Sequence, residues 1–332
     1  MGFRRTFLLA AVVAAGGLAM AGWKLFCDRG PNGEAAAAGT RLALQDIPFN
    51  GVRAYQYLKQ LCAIGPRPSG SPGMARQQKM LAEHFQKLGG QVEFQRFQVR
   101  DPRNGAWVPM ANIIVRWHLR STNRILLCAH YDTLPFPLED PKNPRGTFVG
   151  ANDSASGVAL LMELAHEISA LKINYGVDFV LLDGEEYIFR EWDRMFLGSE
   201  YFAREYVKQQ AQKRPKYRYR WGVLLDMIGD ADLRILQERN CLWWRDTRPL
   251  VAEIWGIAAR LGVREFVAKP MREVDFLDDH VMLHEIGRIP CIVVIDFDYP
   301  PWHTQGDTPD KCSPLSLAKV GWVIREWLKT VK

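Results

Sequence analysis

The chain has 332 residues with a formal net charge of +6 and a pI near 9.0, a balance that fits an acidic ligand or a membrane surface and demands neither. Its six cysteines are widely spread, and a chain of this size needs no disulfide framework.

Met1 to Phe26 carries Arg4 and Arg5 and then an uncharged apolar run from Phe7 to Ala21, with a small-x-small cleavage signal at Ala19-Met20-Ala21. It reads as an export signal, and Arg4-Arg5-Thr6-Phe7-Leu8 resembles a twin-arginine signal. The other reading is an uncleaved anchor, against which stands a run shorter than the ~20 residues that span a bilayer. On either reading the chain is exported: periplasmic, extracellular or membrane-anchored facing outward, touching a membrane only through this segment. Residues 27–45 have the composition of a linker, and 46–332 are expected to form one compact domain, since no second linker or internal repeat interrupts them.

Helical spacing predicts helices over Val52–Leu61 and Ala75–Leu88, separated by the turn GPRPSGSPG from Gly65 to Gly73. Strands are predicted at Val92–Val99 and Ala111–Trp117. Four short apolar runs follow: Ile125–Ala129, Val177–Leu182, Trp221–Ile228 and Cys291–Ile295. Amphipathic helical patterns at Val158–Ile168, Gly198–Val207 and Leu250–Leu261 alternate with them. Runs this continuous are strands buried on both faces, so the fold class is α/β: a single domain whose central, mostly parallel but mixed sheet is covered by helices on both faces. The one basic run, Lys213–Arg220, interleaves Tyr with Arg. Pro215 and its place between a helix and a strand make it a solvated connection, and without a binding motif no nucleic-acid partner is expected.

The chemistry collects at the ends of those runs. His130 and Asp132 follow the first, Glu185 and Glu186 the second, Asp226 lies in the third, and His303 comes shortly after the fourth. Asp153 sits in a turn rich in Gly, Asn and Ser just ahead of a helix. Taken singly, His130 reads as a hydrogen-bonded core histidine, Asp153 as a helix cap and the glutamates as a solvated pair. Asp226 is harder to dismiss, because an unpaired carboxylate in an apolar strand costs several kcal/mol. Ligands of open α/β sheets gather beyond the carboxyl ends of the strands, where one cation would satisfy all these groups. Mixed histidine and carboxylate ligands suit zinc with an open position. Adjacent glutamates point in different directions, so Glu186 is free to ligate while Glu185 faces substrate as a general base.

Six motifs in order, HYD from His130, GANDSASG from Gly150, DGEE from Asp183, LLDMIG from Leu224, DDH from Asp278 and WHT from Trp302, resemble the M28 metallopeptidase superfamily over most of the chain beyond Gly51. Within it the chain is most similar to the animal-type glutaminyl-peptide cyclotransferases. The resemblance implies a zinc-hydrolase/phosphorylase-like fold and one Zn2+ held by Asp153, Glu186 and His303. It implies proton transfer by Glu185, a supporting carboxylate network of Asp226 and Asp278, and Trp302 and Trp192 against the substrate. The substrates would be the N-termini of peptides or proteins, whose glutamine is converted to pyroglutamate with release of ammonia. It further suggests a cis Asp153–Ser154 bond. Val158 stands where those enzymes place half of a disulfide, so that bridge is expected to be missing, and Val293 replaces an expected histidine. The alternative within the superfamily is a dizinc aminopeptidase, in which His130 and Asp226 complete a second metal site and Asp132 orients His130. Gly157 after Ser156 looks more like those peptidases. A metal-free binding scaffold is disfavoured because the chain retains the whole ligand set.

Overall fold

The computed structural model describes residues 42–274 and 276–331. The export segment and most of the linker lie outside the described residues. Leu42 and Leu44 already pack against the core, and residues 44–46 form a 3-10 turn.

Helices α1 (Gly51–Ala63) and α2 (Pro72–Lys87) come first, the second opened by Ser71, whose hydroxyl accepts the Met74 N–H, and by Pro72 in its first turn. Then follow β1 (Gln91–Arg100), β2 (Trp107–Trp117), β3 (Asn123–His130), α3 (Ala155–Ile168), β4 (Gly176–Leu182), α4 (Leu197–Gln210) and β5 (Arg218–Asp226). A small excursion holds β6 (Ile235–Gln237), α5 (Arg239–Trp243), α6 (Arg248–Leu261) and β7 (Phe266–Pro270). The chain closes with α7 (Asp279–Glu285), β8 (Cys291–Ile295) and α8 (Pro314–Thr330).

The main sheet runs β1-β2-β4-β3-β5-β8. β3, β4, β5 and β8 pair in parallel, whereas β1 and β2 are antiparallel, so the sheet is mixed as expected. Every residue of β4 and β8 is buried, while edge strand β1 is largely exposed or half-buried. Helices pack on both faces. Because the four parallel strands point the same way, their carboxyl ends share one edge, and the polar residues that follow each strand are delivered there.

Two expectations change in detail, and one element is added. Asp226 is the last residue of β5, so its carboxylate stands at the rim of the sheet. Helix α3 is not amphipathic but buried nearly all round, because α1 and α8 cover its outer side; even Glu163 is buried, held by the Arg53 guanidinium at 2.6 and 2.7 Å. Helix α8, not anticipated from the sequence, buries Trp327 completely. In the basic run Tyr219 turns inward, donating its hydroxyl to Asp178 at 2.6 Å, while Arg218 and Arg220 are exposed. The five described cysteines are free and buried. Among the described residues no helix is long and apolar enough to cross a membrane.

Candidate metal centre

The turn before α3 is held by contacts from several other segments. Gly150 adopts φ +59°, and a Cβ there would meet the Asp153 carbonyl, so a glycine is needed for the chain to fold back on itself. Arg67, fully buried in the loop after α1, donates to the carbonyls of Val149 and Gly150 at 2.8 and 3.1 Å. Asn152 accepts the Gly229 N–H at 2.7 Å, and Ser156 accepts the Ile228 N–H at 3.1 Å, joining the turn to the end of β5. Ser154 donates to the Asp132 carbonyl at 2.7 Å, joining it to β3. The residue that opens α3 is therefore Ser154, and the Asp153 side chain is free of any capping role. The Asp153–Ser154 peptide bond is cis.

Asp153, Glu186 and His303 meet above the sheet edge. His303 Nε2 lies 2.7 Å from Glu186 Oε1 and 3.4 Å from Asp153 Oδ2. One ligand atom from each of the three falls within 4.8 Å of the others, and all three residues are buried. The His303 ring is held by Trp302, stacked at 3.6 Å between centroids and 20° between planes, and by the edge of Phe148. His303 itself sits at φ +56°, and Met227, next to Asp226, at φ +44°; such left-handed residues collect where a site over-determines its backbone.

His130 completes a second group. Its Nε2 lies 3.0 Å from Asp153 Oδ1 and 3.2 Å from Asp226 Oδ1, so Asp153 is shared between the two groups. Its Nδ1 is 3.7 Å from Asp132 and 3.8 Å from Glu185 Oε2. Asp132 does more than face His130: its two oxygens accept the N–H groups of Glu185 and Glu186 at 3.1 and 3.0 Å and fix where each glutamate points. Glu186 Oε2 accepts the Leu134 N–H at 3.1 Å, and one carboxylate oxygen each of Glu185 and Glu186 lies within 4.8 Å of the other and of a His130 ring nitrogen.

Burial dominates the charges. It pushes the carboxyls of Glu185 and Glu186 well above the usual range, with neighbouring acids adding to the effect, and it raises Asp226 and Asp278 as well. For Asp153 burial is outweighed by the imidazoles of His130 and His303, which hold its carboxyl below the usual range. Burial also opposes charge on His130, but the surrounding carboxylates win and raise its pKa well above 6.5. So many acids sharing two histidines make a site short of positive charge. The donor set of two carboxylates and an imidazole, already converged, fits a divalent metal.

Asp278 lies at the start of α7 and accepts the Asp279 N–H at 2.6 Å. Its Oδ2 is buried without a hydrogen-bond partner among the described residues. Sequence reasoning therefore placed Asp132, Asp153, Glu185, Glu186, Asp226, Asp278, Trp302, His303 and His130 in one region, and the structure brings them together. Trp192 is the exception. It is 74% exposed on the loop between Glu186 and α4, beside Arg190, and stands outside the buried cluster. Arg67, Asn152 and Asp307 were missed; buried polar groups inside turns give no periodic signal.

Residues 112–328 match the model of peptidase family M28. The chain belongs to that family. A glutaminyl cyclase structure from Fimbriiglobus ruber is similar at 42% identity and a TM-score of 0.81, over 86% of this chain and 96% of that one. The glutaminyl-peptide cyclotransferase-like protein of Mus musculus is 26% identical over 82% of this chain and 73% of its own length. A Zn-dependent exopeptidase structure from Parabacteroides distasonis is 27% identical with a TM-score of 0.76, over 85% and 98% of the two chains. The family and the Zn-dependent neighbour suggest zinc as the metal.

Proposed function

We propose that this chain is a glutaminyl-peptide cyclotransferase, releasing ammonia as an N-terminal glutamine closes to pyroglutamate. The observation that carries the reading is the likeness to a glutaminyl cyclase across nearly the whole of both chains. The site supplies a matching set of groups. Asp153, Glu186 and His303 would hold the metal, which when bound supplies the positive charge that polarises the substrate's γ-carboxamide.

The reaction is an intramolecular aminolysis. The α-amino nitrogen bonds to the γ-carbonyl carbon, the bond from that carbon to its amide nitrogen breaks, and one proton must travel from the first nitrogen to the second. Glu185, at the same end of β4 as Glu186 and 3.8 Å from His130 Nδ1, is the group that takes that proton and delivers it to departing ammonia. Asp226 and Asp278 stand beside it as acids that burial keeps protonated more readily than usual, able to hold the amide nitrogen in line. Trp302, stacked on His303, walls the pocket, and holding the amine folded toward the carbonyl supplies the entropic advantage. Trp192 is left as a rim contact for the rest of the peptide.

A dizinc aminopeptidase is the second reading, favoured by the convergence of His130, Asp153 and Asp226 around a shared carboxylate. There Glu185 would activate water instead. Export through residues 1–26 also belongs to the proposal, with peptide N-termini outside the cytoplasm as substrates. In zinc-loaded protein, Glu185→Gln should lower ammonia release from a Gln-initiated dipeptide by roughly 10²–10⁴-fold while zinc content stays unchanged. Retained turnover would remove Glu185 as the proton carrier.

A further inference from the structure

Four residues beyond His303, Asp307 is fully buried. Its Oδ1 accepts the Asn152 N–H at 2.8 Å and the Tyr299 hydroxyl at 2.8 Å, and its Oδ2 accepts the Asp153 N–H at 3.1 Å. The Asp307 carbonyl accepts the Ala151 N–H at 3.4 Å, so the contact between the two segments is backbone as well as side chain. Three neutral donors around one carboxylate make an expensive arrangement compared with a guanidinium partner. What the carboxylate gains is geometric. Two consecutive backbone N–H groups each need an acceptor oxygen, and an amide in the same place would aim its NH2 group at one of them.

We propose that Asp307 is a positioning residue for the metal centre. From the loop that carries His303 it holds the backbone of the turn that presents Asp153, and so fixes two of the three ligands relative to each other. Tyr299 is its support, donating the hydroxyl that keeps the carboxylate oriented. On the opposite side of the turn, Arg67 holds the carbonyls of Val149 and Gly150, so the turn is gripped at its amides by an acid and at its carbonyls by a base. The affinity of the centre for its ion is then set partly by a residue that never touches it, as outer partners of metal ligands are known to do. The proposal rests on reading Asp153 and His303 as ligands and holds for either chemistry at the site.

The test is zinc affinity by chelator competition on the full chain, comparing wild type, Asp307→Asn and Tyr299→Phe, with thermal unfolding of each metal-free protein as the control for folding. Asp307→Asn should bind zinc about 10–100-fold more weakly. Its activity at limiting zinc should fall in step and be restored by excess zinc with an unchanged KM. Tyr299→Phe should shift affinity in the same direction by less. Wild-type affinity in a folded Asp307→Asn overturns the proposal; should that variant fail to fold, wild-type affinity in Tyr299→Phe does so. If wild type itself takes up no zinc, the ligand reading falls and the proposal with it; zinc held equally by wild type and Asp307→Asn sinks the proposal alone.

Discussion

The Asp153 side chain is aimed by a turn that four other segments hold, and most of those contacts are to the turn's backbone. The consequence is that small changes in the turn should reach the metal. Gly150→Ala puts a Cβ against the Asp153 carbonyl at a φ that L-residues resist. It should cost more than about 1 kcal/mol of stability and weaken zinc binding together, read by denaturant titration and chelator competition. A second residue tests the electrostatics away from the ligands. Asp296, just past β8, accepts the Arg234 and Asp298 N–H groups, yet burial pushes its pKa from 3.8 up to about 7. The native state then binds this proton more tightly than the unfolded chain, so its contribution to stability is fully present below about pH 4 and is lost as the pH rises through about 7. Asp296→Asn should narrow the stability difference between pH 4 and pH 8; an unchanged difference would contradict the assignment. Glu186 and His303, two of the three proposed ligands, were legible because they close or follow an apolar run, where a charge is costly unless used; Asp153, in a turn, was legible only through its GANDSASG motif. Arg67 and Asp307 were not, because hydrogen bonds to carbonyls and amides of a distant turn leave no spacing in the sequence.

Among the elements, the parallel strands were read nearly to their ends, since strands covered on both faces cannot alternate. Helix α3 was placed correctly but given the wrong surroundings: its pattern hides the fact that α1 and α8 cover it. Gly157 of α3 packs directly against the sheet, with a Cβ at that position meeting the Leu225 carbonyl and, at 3.0 Å, the Ala129 side chain. The serine-glycine pair that looked peptidase-like is thus a packing requirement of this helix. Gly157→Ala should destabilise by about 1–3 kcal/mol, measured by urea unfolding. The short elements β6, α5, β7 and α7 escaped the sequence because three to seven residues carry no readable period. Helix α8 is long enough to be read, and its burial makes a clear prediction. Trp327→Ala should cost about 3–5 kcal/mol, and a loss below about 1 kcal/mol would mean that α8 is not a core helix.

At the scale of the whole molecule, parallel strands with a common polarity gather acids from distant parts of the chain into one buried edge. Without a cation those acids oppose folding. Zinc should therefore stabilise the fold with concentration, by about 2.7 kcal/mol at a hundredfold excess over its Kd, raising the unfolding midpoint, and chelation should reverse it. The order of motifs along the chain is enough to reveal this edge, but not the number of ions it holds, because the residues for one site and for two are both present and share Asp153. The decisive measurement is a paired assay on purified, zinc-loaded protein: ammonia from a Gln-initiated dipeptide, free amino acid from Leu- and Ala-initiated dipeptides, and zinc content of the same sample. Ammonia release with about one zinc per chain is the predicted result. Amino-acid release without ammonia, with about two zincs per chain, would contradict it and turn His130 and Asp226 into ligands of a hydrolytic centre.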